Sequence, residues 1–160
     1  MRLSLLSFLF LFACQALADK KLTITVPLLT YELANKAVMT AVSECTRRGH
    51  KVAAAMSGRD GNLLAFVRHP LAGPHTINVS QKKAYTAASL QAPTGAQLQK
   101  ERPDLNFAPG ILLIQGAQPI NVAGHFYGGI AVAGADTKTD EVCAKHGLAA
   151  VTELLEFASE

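Results

Sequence analysis

Two histidines in a proline-braced loop are the side chains of this sequence best suited to hold a ligand. His69 and His75 flank residues 70–74, a segment that begins and ends with proline. Imidazole is the commonest metal ligand in proteins, and a stiff loop loses little entropy when it binds. The pattern predicts a binding loop. A rigid turn whose histidines bond only to backbone stays open as the alternative.

Basic side chains lie on both sides of this loop. Arg68 precedes His69, and Lys82 and Lys83 are adjacent in the segment that follows His75. Cationic side chains bind carboxylates through charge-assisted hydrogen bonds, so these three residues are candidates for the acidic groups of a ligand. A solvated helix face is the other interpretation of the paired lysines.

Other kinds of chemistry have little support in the sequence. The sequence contains no P-loop, GxGxxG, HExxH or GxSxG motif, and Asp60, Asp104, Asp136 and Asp140 lie at predicted turns or caps. We therefore expect no catalytic residues, and a binding protein rather than an enzyme. The formal net charge is only +3, without a Lys/Arg-rich run, which argues against nucleic acid as a partner.

The first 18 residues have the pattern of a secretory signal peptide. Arg2 precedes an apolar run over residues 3–13, and Ala16-Leu17-Ala18 is a small-x-small cleavage site. We therefore expect a periplasmic or secreted protein that begins at Asp19. Lipidation at Cys14 is the alternative. No apolar run reaches the ~20 residues of a membrane-spanning helix, so we expect no integral membrane segment after cleavage.

Two cysteines, Cys45 and Cys143, remain in the mature chain. An even number of cysteines in a small exported domain is typical of a disulfide, which is what we predict. Both residues lie on predicted helices. The bridge therefore requires the first and last helices to pack on the same face of the sheet.

The helices and strands that position these residues can be predicted from hydrophobic periodicity and turn residues. We predict helices over residues 30–48, 76–90 and 140–157, a short helix over 95–100, and strands over 51–57, 63–68, 111–114, 120–123 and 126–133. Short links between strands require antiparallel pairing. The order predicts one α+β domain over residues 19–160, with a five-stranded, mostly antiparallel sheet flanked by helices.

Four segments together resemble the GlcG/HbpS family of haem-binding-protein-like domains. They are residues 60–65 with Arg68, residues 80–87, residues 119–120 with 124–135, and residues 140–147. Arg68 and His69 followed by residues 72–76 resemble an exported branch of that family.

The resemblance implies a profilin-like fold in α/β/α layers, non-covalent haem binding and assembly into homo-oligomers. On that basis we expect an exported haem-binding or haem-sequestering protein. His69 or His75 would ligate the iron, and Arg68, Lys82 or Lys83 would meet the propionates.

Two alternatives stay open because a fold does not determine a function. The first is a small enzyme or accessory protein for a 2-hydroxy-acid type of metabolite, with Arg68 and the helix start at Thr76 holding its carboxylate. The second is a structural assembly module that uses the glycine-rich hairpin over residues 124–134.

Overall fold

The computed structural model describes residues 22–158 of the chain. This part contains four antiparallel strands, four α-helices and one 3-10 helix. The helices are α1 (Tyr31–Arg47), α2 (His75–Leu90), α3 (Ala96–Glu101) and α4 (Thr137–Ala158), with the 3-10 helix at Pro103–Phe107. The strands are β1 (Ala53–Gly58), β2 (Leu63–Arg68), β3 (Ala117–Val122) and β4 (His125–Ala133). The predicted signal peptide and Cys14 lie outside the described residues.

The α+β class with an antiparallel sheet flanked by helices is confirmed, but the prediction of five strands was wrong. The sheet has four strands in the order β2-β1-β4-β3, and every neighbouring pair is antiparallel. Two of the connections are hairpins. The chain between β2 and β3 carries α2, α3 and the 3-10 helix from one edge of the sheet to the other.

The segment predicted as a fifth strand, residues 111–114, lies along α2 instead. The Leu112 N–H donates to the Thr86 hydroxyl of α2 at 2.8 Å, and the Ile111 N–H donates to the Ala108 carbonyl at 3.2 Å. β4 already pairs with β1 and β3 on its two sides. An apolar run of four residues is compatible with a packed loop as well as with a strand, which explains the error.

The two faces of the sheet are packed in different ways. The face covered by α1 and α4 holds the main core, which includes Val38, Met56, Ile120 and Ile130, all fully buried. The face covered by α2 holds a layer of alanines, namely Ala55, Ala84, Ala87, Ala117 and Ala131. Within residues 22–158, no helix combines the length and apolar character that crossing a bilayer requires.

The predicted Cys45–Cys143 disulfide is present and joins α1 to α4. Both cysteines are fully buried in the main core, so the bridge lies between the two helices that cover one face of the sheet. It closes a loop with a sequence separation of 98 residues. Long closed loops are the ones whose cross-linking most restricts the unfolded chain.

Reduction of this bridge should lower the free energy of unfolding by about 2–5 kcal/mol, because the unfolded chain regains the entropy that the long loop had lost. Urea unfolding with and without reductant measures the change. A Cys14→Ser variant is the control, because it removes a thiol outside the described residues. Two titratable thiols in that variant, unfolded without reductant, would contradict the bridge.

A cluster of charged side chains surrounds the Glu44 carboxylate at the end of α1, next in sequence to the disulfide-bonded Cys45. Glu44 Oε1 accepts hydrogen bonds from Arg47 Nη2 at 2.8 Å and from Arg48 Nε at 2.7 Å. His146 of α4 brings its Nε2 to 3.6 Å from the same oxygen. The hydrogen bonds from Arg47 and Arg48 lower the pKa of the Glu44 carboxyl to about 2.

The Glu44 cluster should make the protein sensitive to acid. A carboxyl whose pKa is lowered in the folded state stabilises the fold above its ordinary pKa, and that stabilisation is lost as the pH falls towards the folded value. The urea midpoint should therefore decrease between pH 4.5 and 2, and more steeply in the wild-type protein than in Glu44→Gln. Glu153→Gln, which removes an exposed carboxyl of α4, is the control. Equal slopes in wild type and Glu44→Gln would disprove this role.

Candidate functional site

The loop between β2 and α2 is held by hydrogen bonds within itself. Arg68 donates from its guanidinium Nη1 to the Ala72 carbonyl, and the Ala72 N–H donates to the His69 carbonyl at 2.9 Å. The Leu71 N–H donates to His69 Nδ1 at 3.1 Å. Arg68 and His69 therefore fix the loop as well as being candidates for ligand binding.

His75 is the first residue of α2, one position before the predicted helix start. The Thr76 N–H and hydroxyl both bond to the Gly73 carbonyl, at 3.0 and 2.7 Å, which closes the first turn. The imidazole of His75 lies over Gly73, where an added Cβ would be 2.7 Å from His75 Cε1. The ring is exposed, and neither of its nitrogens bonds to another residue in the described range 22–158.

A cavity of about 270 Å³ lies next to the His75 ring, and we call it the His75 cleft. Three turns of one face of α2 contribute His75, Val79 and Lys83, because residues four apart lie on the same side of a helix. The rest of the lining consists of Ile114, Ala133, Gly134, Ala135, Thr137 and Asp140. The cleft thus combines an imidazole at its rim with apolar walls.

Lys83 differs most from its expected surroundings, because it forms a buried ion pair. Lys83 is 1% exposed and Asp140 is 2% exposed. Lys83 Nζ lies 3.0 Å from Asp140 Oδ2 and also donates to the Val132 carbonyl at 3.0 Å. Asp140 Oδ1 accepts the Ala135 N–H at 3.0 Å. To bind a ligand carboxylate, Lys83 would have to leave Asp140 uncompensated.

The buried position changes the acidity of Asp140. Burial raises the pKa of the Asp140 carboxyl, and the Lys83 ammonium and the Ala135 N–H oppose that increase. Asp140 is therefore more than the helix cap that the sequence indicated. It anchors the start of α4 to the middle of α2.

Lys82 opens onto a different cavity from Lys83. Successive helix residues are rotated by about 100°, so the two lysines leave α2 on different sides. Lys82 lines a cavity of about 260 Å³, which we call the Tyr85 cavity, together with Ser57, Gly61, Leu63, Gln81, Tyr85, Pro109 and Gly110. His75 and Lys83 thus line one cavity, and Lys82 lines another.

The hydrogen bond that His69 accepts from the Leu71 N–H makes it a different kind of ligand from His75. Because His69 Nδ1 accepts a backbone proton, the proton of the neutral ring is on Nε2. Coordination through Nε2 would require that proton to leave or the loop bond to break. His75 carries no such restriction within residues 22–158, so its nitrogen, the apolar wall of Val79 and Ile114, and the adjacent cleft fit a haem edge.

The buried Lys83 was missed by sequence reasoning, although a signal for it exists. Thr76, Ser80, Lys83 and Ala87 recur at spacings of three and four and are all buried on α2. Such a stripe marks the face of a helix that packs inward. Adjacency alone makes the two lysines look alike, whereas the stripe places Lys83 on the buried face of α2 and Lys82 off it.

Comparison with protein families identifies the chain. A model of the family described as haem degrading protein HbpS-like matches residues 29–149. The chain belongs to this HbpS-like family. No match was found among curated proteins.

Solved structures agree with the HbpS-like assignment. A crystal structure of an HbpS double mutant from Streptomyces reticuli is 36% identical, covers 79% of this chain and 89% of its own, and has a TM-score of 0.75. A crystal structure of HbpS is also 36% identical, covers 79% of this chain and 92% of its own, and has the same TM-score of 0.75. A PduOC–haem complex, at 20% identity and a TM-score of 0.67, covers 78% of this chain and 95% of its own and shares the fold.

Removal of the Lys83 charge should show how much the buried Lys83–Asp140 pair contributes to stability. We expect Lys83→Met to lower the free energy of unfolding by about 3–5 kcal/mol, since it leaves a buried carboxylate without its partner. The deficit should shrink at low pH, where a protonated Asp140 carries no charge. Urea unfolding at several pH values measures both effects.

Two variants control this experiment. Asp140→Asn, combined with Lys83→Met, removes both charges and keeps an oxygen for the Ala135 N–H, so it should recover part of the loss. Lys82→Met changes an exposed neighbour and should alter stability by no more than about 0.5 kcal/mol. Similar losses in Lys82→Met and Lys83→Met would show that the pair does not matter.

Proposed function

We propose that this HbpS-like chain is an exported protein that binds haem non-covalently, with His75 as the iron ligand. The observation that carries the proposal is the His75 imidazole, which has no partner among residues 22–158 and lines a cleft with a largely apolar wall. The family description and the haem complex of a protein with the same fold support haem as the ligand class.

A haem site needs an axial ligand for the iron, an apolar wall for the macrocycle and cations for the propionates. His75 would supply the nitrogen, and Val79 and Ile114 the wall. Arg68 remains the candidate for a propionate, because only its Nη1 is engaged, with the Ala72 carbonyl, among the described residues. When bound, the haem would supply its iron chemistry, while these residues hold and orient it.

The size of the cleft supports assembly as part of the same proposal. Its volume of about 270 Å³ lies just below the ~300–1,000 Å³ of clefts that bury most of a drug-sized ligand. One chain would therefore cover only part of the macrocycle. A second copy would cover more of it, in line with the homo-oligomer that the sequence resemblance implies.

Export is the remaining part of the proposal. It is supported by the signal-peptide pattern of residues 1–18 and by the Cys45–Cys143 bridge. Disulfides form and persist in oxidising compartments such as the periplasm or the cell exterior. A haem-binding protein in such a compartment would sequester haem outside the cytoplasm.

Hemin titration of single histidine variants tests the site. We expect His75→Ala to lose the shift of the Soret band that the wild-type protein gives, because the axial nitrogen is gone. His69→Ala should keep the shift and lose stability only through its loop bonds. Absorption spectra measure the first effect and urea unfolding the second, and the native mass with and without hemin reports assembly.

The matched control is His125→Ala, which changes an exposed histidine in β4 whose ring lies edge-on to Tyr127. It should leave the Soret shift as in the wild type. A normal shift in the double variant His69→Ala with His75→Ala would rule out the loop as the site. Loss in His69→Ala alone would assign the ligand to His69.

A further inference from the structure

The Tyr85 cavity has polar groups that the haem proposal does not use. Lys82, Gln81 and Tyr85 reach it from one face of α2, and Ser57 reaches it from β1. The His75 cleft is lined by another face of the same helix, and the two cavities share no lining residue. The haem proposal therefore does not account for the polar groups of the Tyr85 cavity.

Ser57 contributes a free hydroxyl to the cavity. The residue as a whole is 2% exposed, and its hydroxyl forms no hydrogen bond among residues 22–158. No sealed side-chain polar atom in that range is left unpaired, so this hydroxyl is open to the cavity. A serine hydroxyl can donate one hydrogen bond and accept two, so Ser57 can bond to a molecule in the cavity without breaking a bond within the protein. Ser57 lies where the β1–β2 register shifts, between Met56 and Ser57. Such irregularities re-aim side chains and are common next to functional sites.

Two glycines hold the tyrosine ring in place at the wall of the cavity. An added Cβ would lie 2.9 Å from Tyr85 Cε2 at Gly61 and 3.5 Å from Tyr85 Cε1 at Gly110. Both glycines have positive φ, +80° and +83°, which makes any other residue there strained. The hydrogen bond from the Leu112 N–H to Thr86 fastens the Gly110 side of this wall to α2.

The lining defines the chemistry of the occupant. Lys82 supplies a positive charge, Gln81 an amide and Ser57 a hydroxyl, while Leu63, Pro109 and the Tyr85 ring are apolar. None of the lining residues is acidic, and nearby Asp60 is engaged with the N–H and side-chain amide of Asn62. We propose that the Tyr85 cavity binds a small organic carboxylate with a flat apolar body, independently of the His75 cleft.

Benzoate is a suitable probe for this proposal, and calorimetry of the full chain measures its binding. We expect saturable binding with a Kd of about 1 mM or below. Lys82→Gln should weaken it about tenfold or more, because a hydrogen bond to a charged group is lost, and Ser57→Ala about threefold or more. The neutral analogue benzamide should bind much more weakly than benzoate.

The matched controls are Lys36→Gln, which removes an exposed lysine of α1, and His75→Ala. Both should bind benzoate as the wild type does. Absence of saturable binding, or equal loss in Lys36→Gln and Lys82→Gln, would overturn the proposal.

Hemin titrations of the same variants distinguish a free acid from a haem propionate. Lys82→Gln should bind hemin as the wild type does, and saturating benzoate should leave the Soret shift unchanged. Competition between benzoate and hemin, with parallel losses in Lys82→Gln, would mean that the cavity receives a propionate, and a separate carboxylate site would be disproved. Loss of hemin binding only in His75→Ala would leave both proposals standing.

Discussion

The close packing of α2 on the backbone of β4 determines where both cavities lie. Gly129 of β4 has no side chain, and a Cβ there would be 2.6 Å from the Ala84 carbonyl oxygen of α2. The neighbouring layer consists of alanines, so the helix rests almost directly on the sheet. Larger side chains of α2 can then only point sideways. One side forms the His75 cleft and the other forms the Tyr85 cavity.

A layer of alanines buries little apolar area, so the position of α2 depends on polar anchors as well. The Lys83–Asp140 pair ties the middle of α2 to the start of α4, and Thr86 binds the N–H of Leu112. The opposite face of the sheet has larger apolar side chains and the disulfide. Stability therefore comes mainly from that face, while the α2 face carries the two cavities.

Much of the fold could be predicted from the sequence because its signals are local. Periodicity and turn residues indicated the long helices and the β1–β2 hairpin, and cysteine usage indicated the Cys45–Cys143 bridge. The extra strand over residues 111–114 was wrong because an apolar run does not reveal its partner. Its N–H groups bond to Thr86 and to the Ala108 carbonyl, and neither contact has a signature in the run itself.

In the candidate site, too, the sequence does not reveal the partners that decide what each residue can do. In the sequence, His69 and His75 are equivalent, as are Lys82 and Lys83. One backbone N–H, donated to His69 Nδ1, makes the two histidines unequal as ligands. A carboxylate 57 positions away makes the two lysines unequal, because it holds only Lys83 inside the protein. Residue types in a segment thus indicate which chemistry is available, whereas the hydrogen-bond partners supplied by the fold decide which residue can perform it.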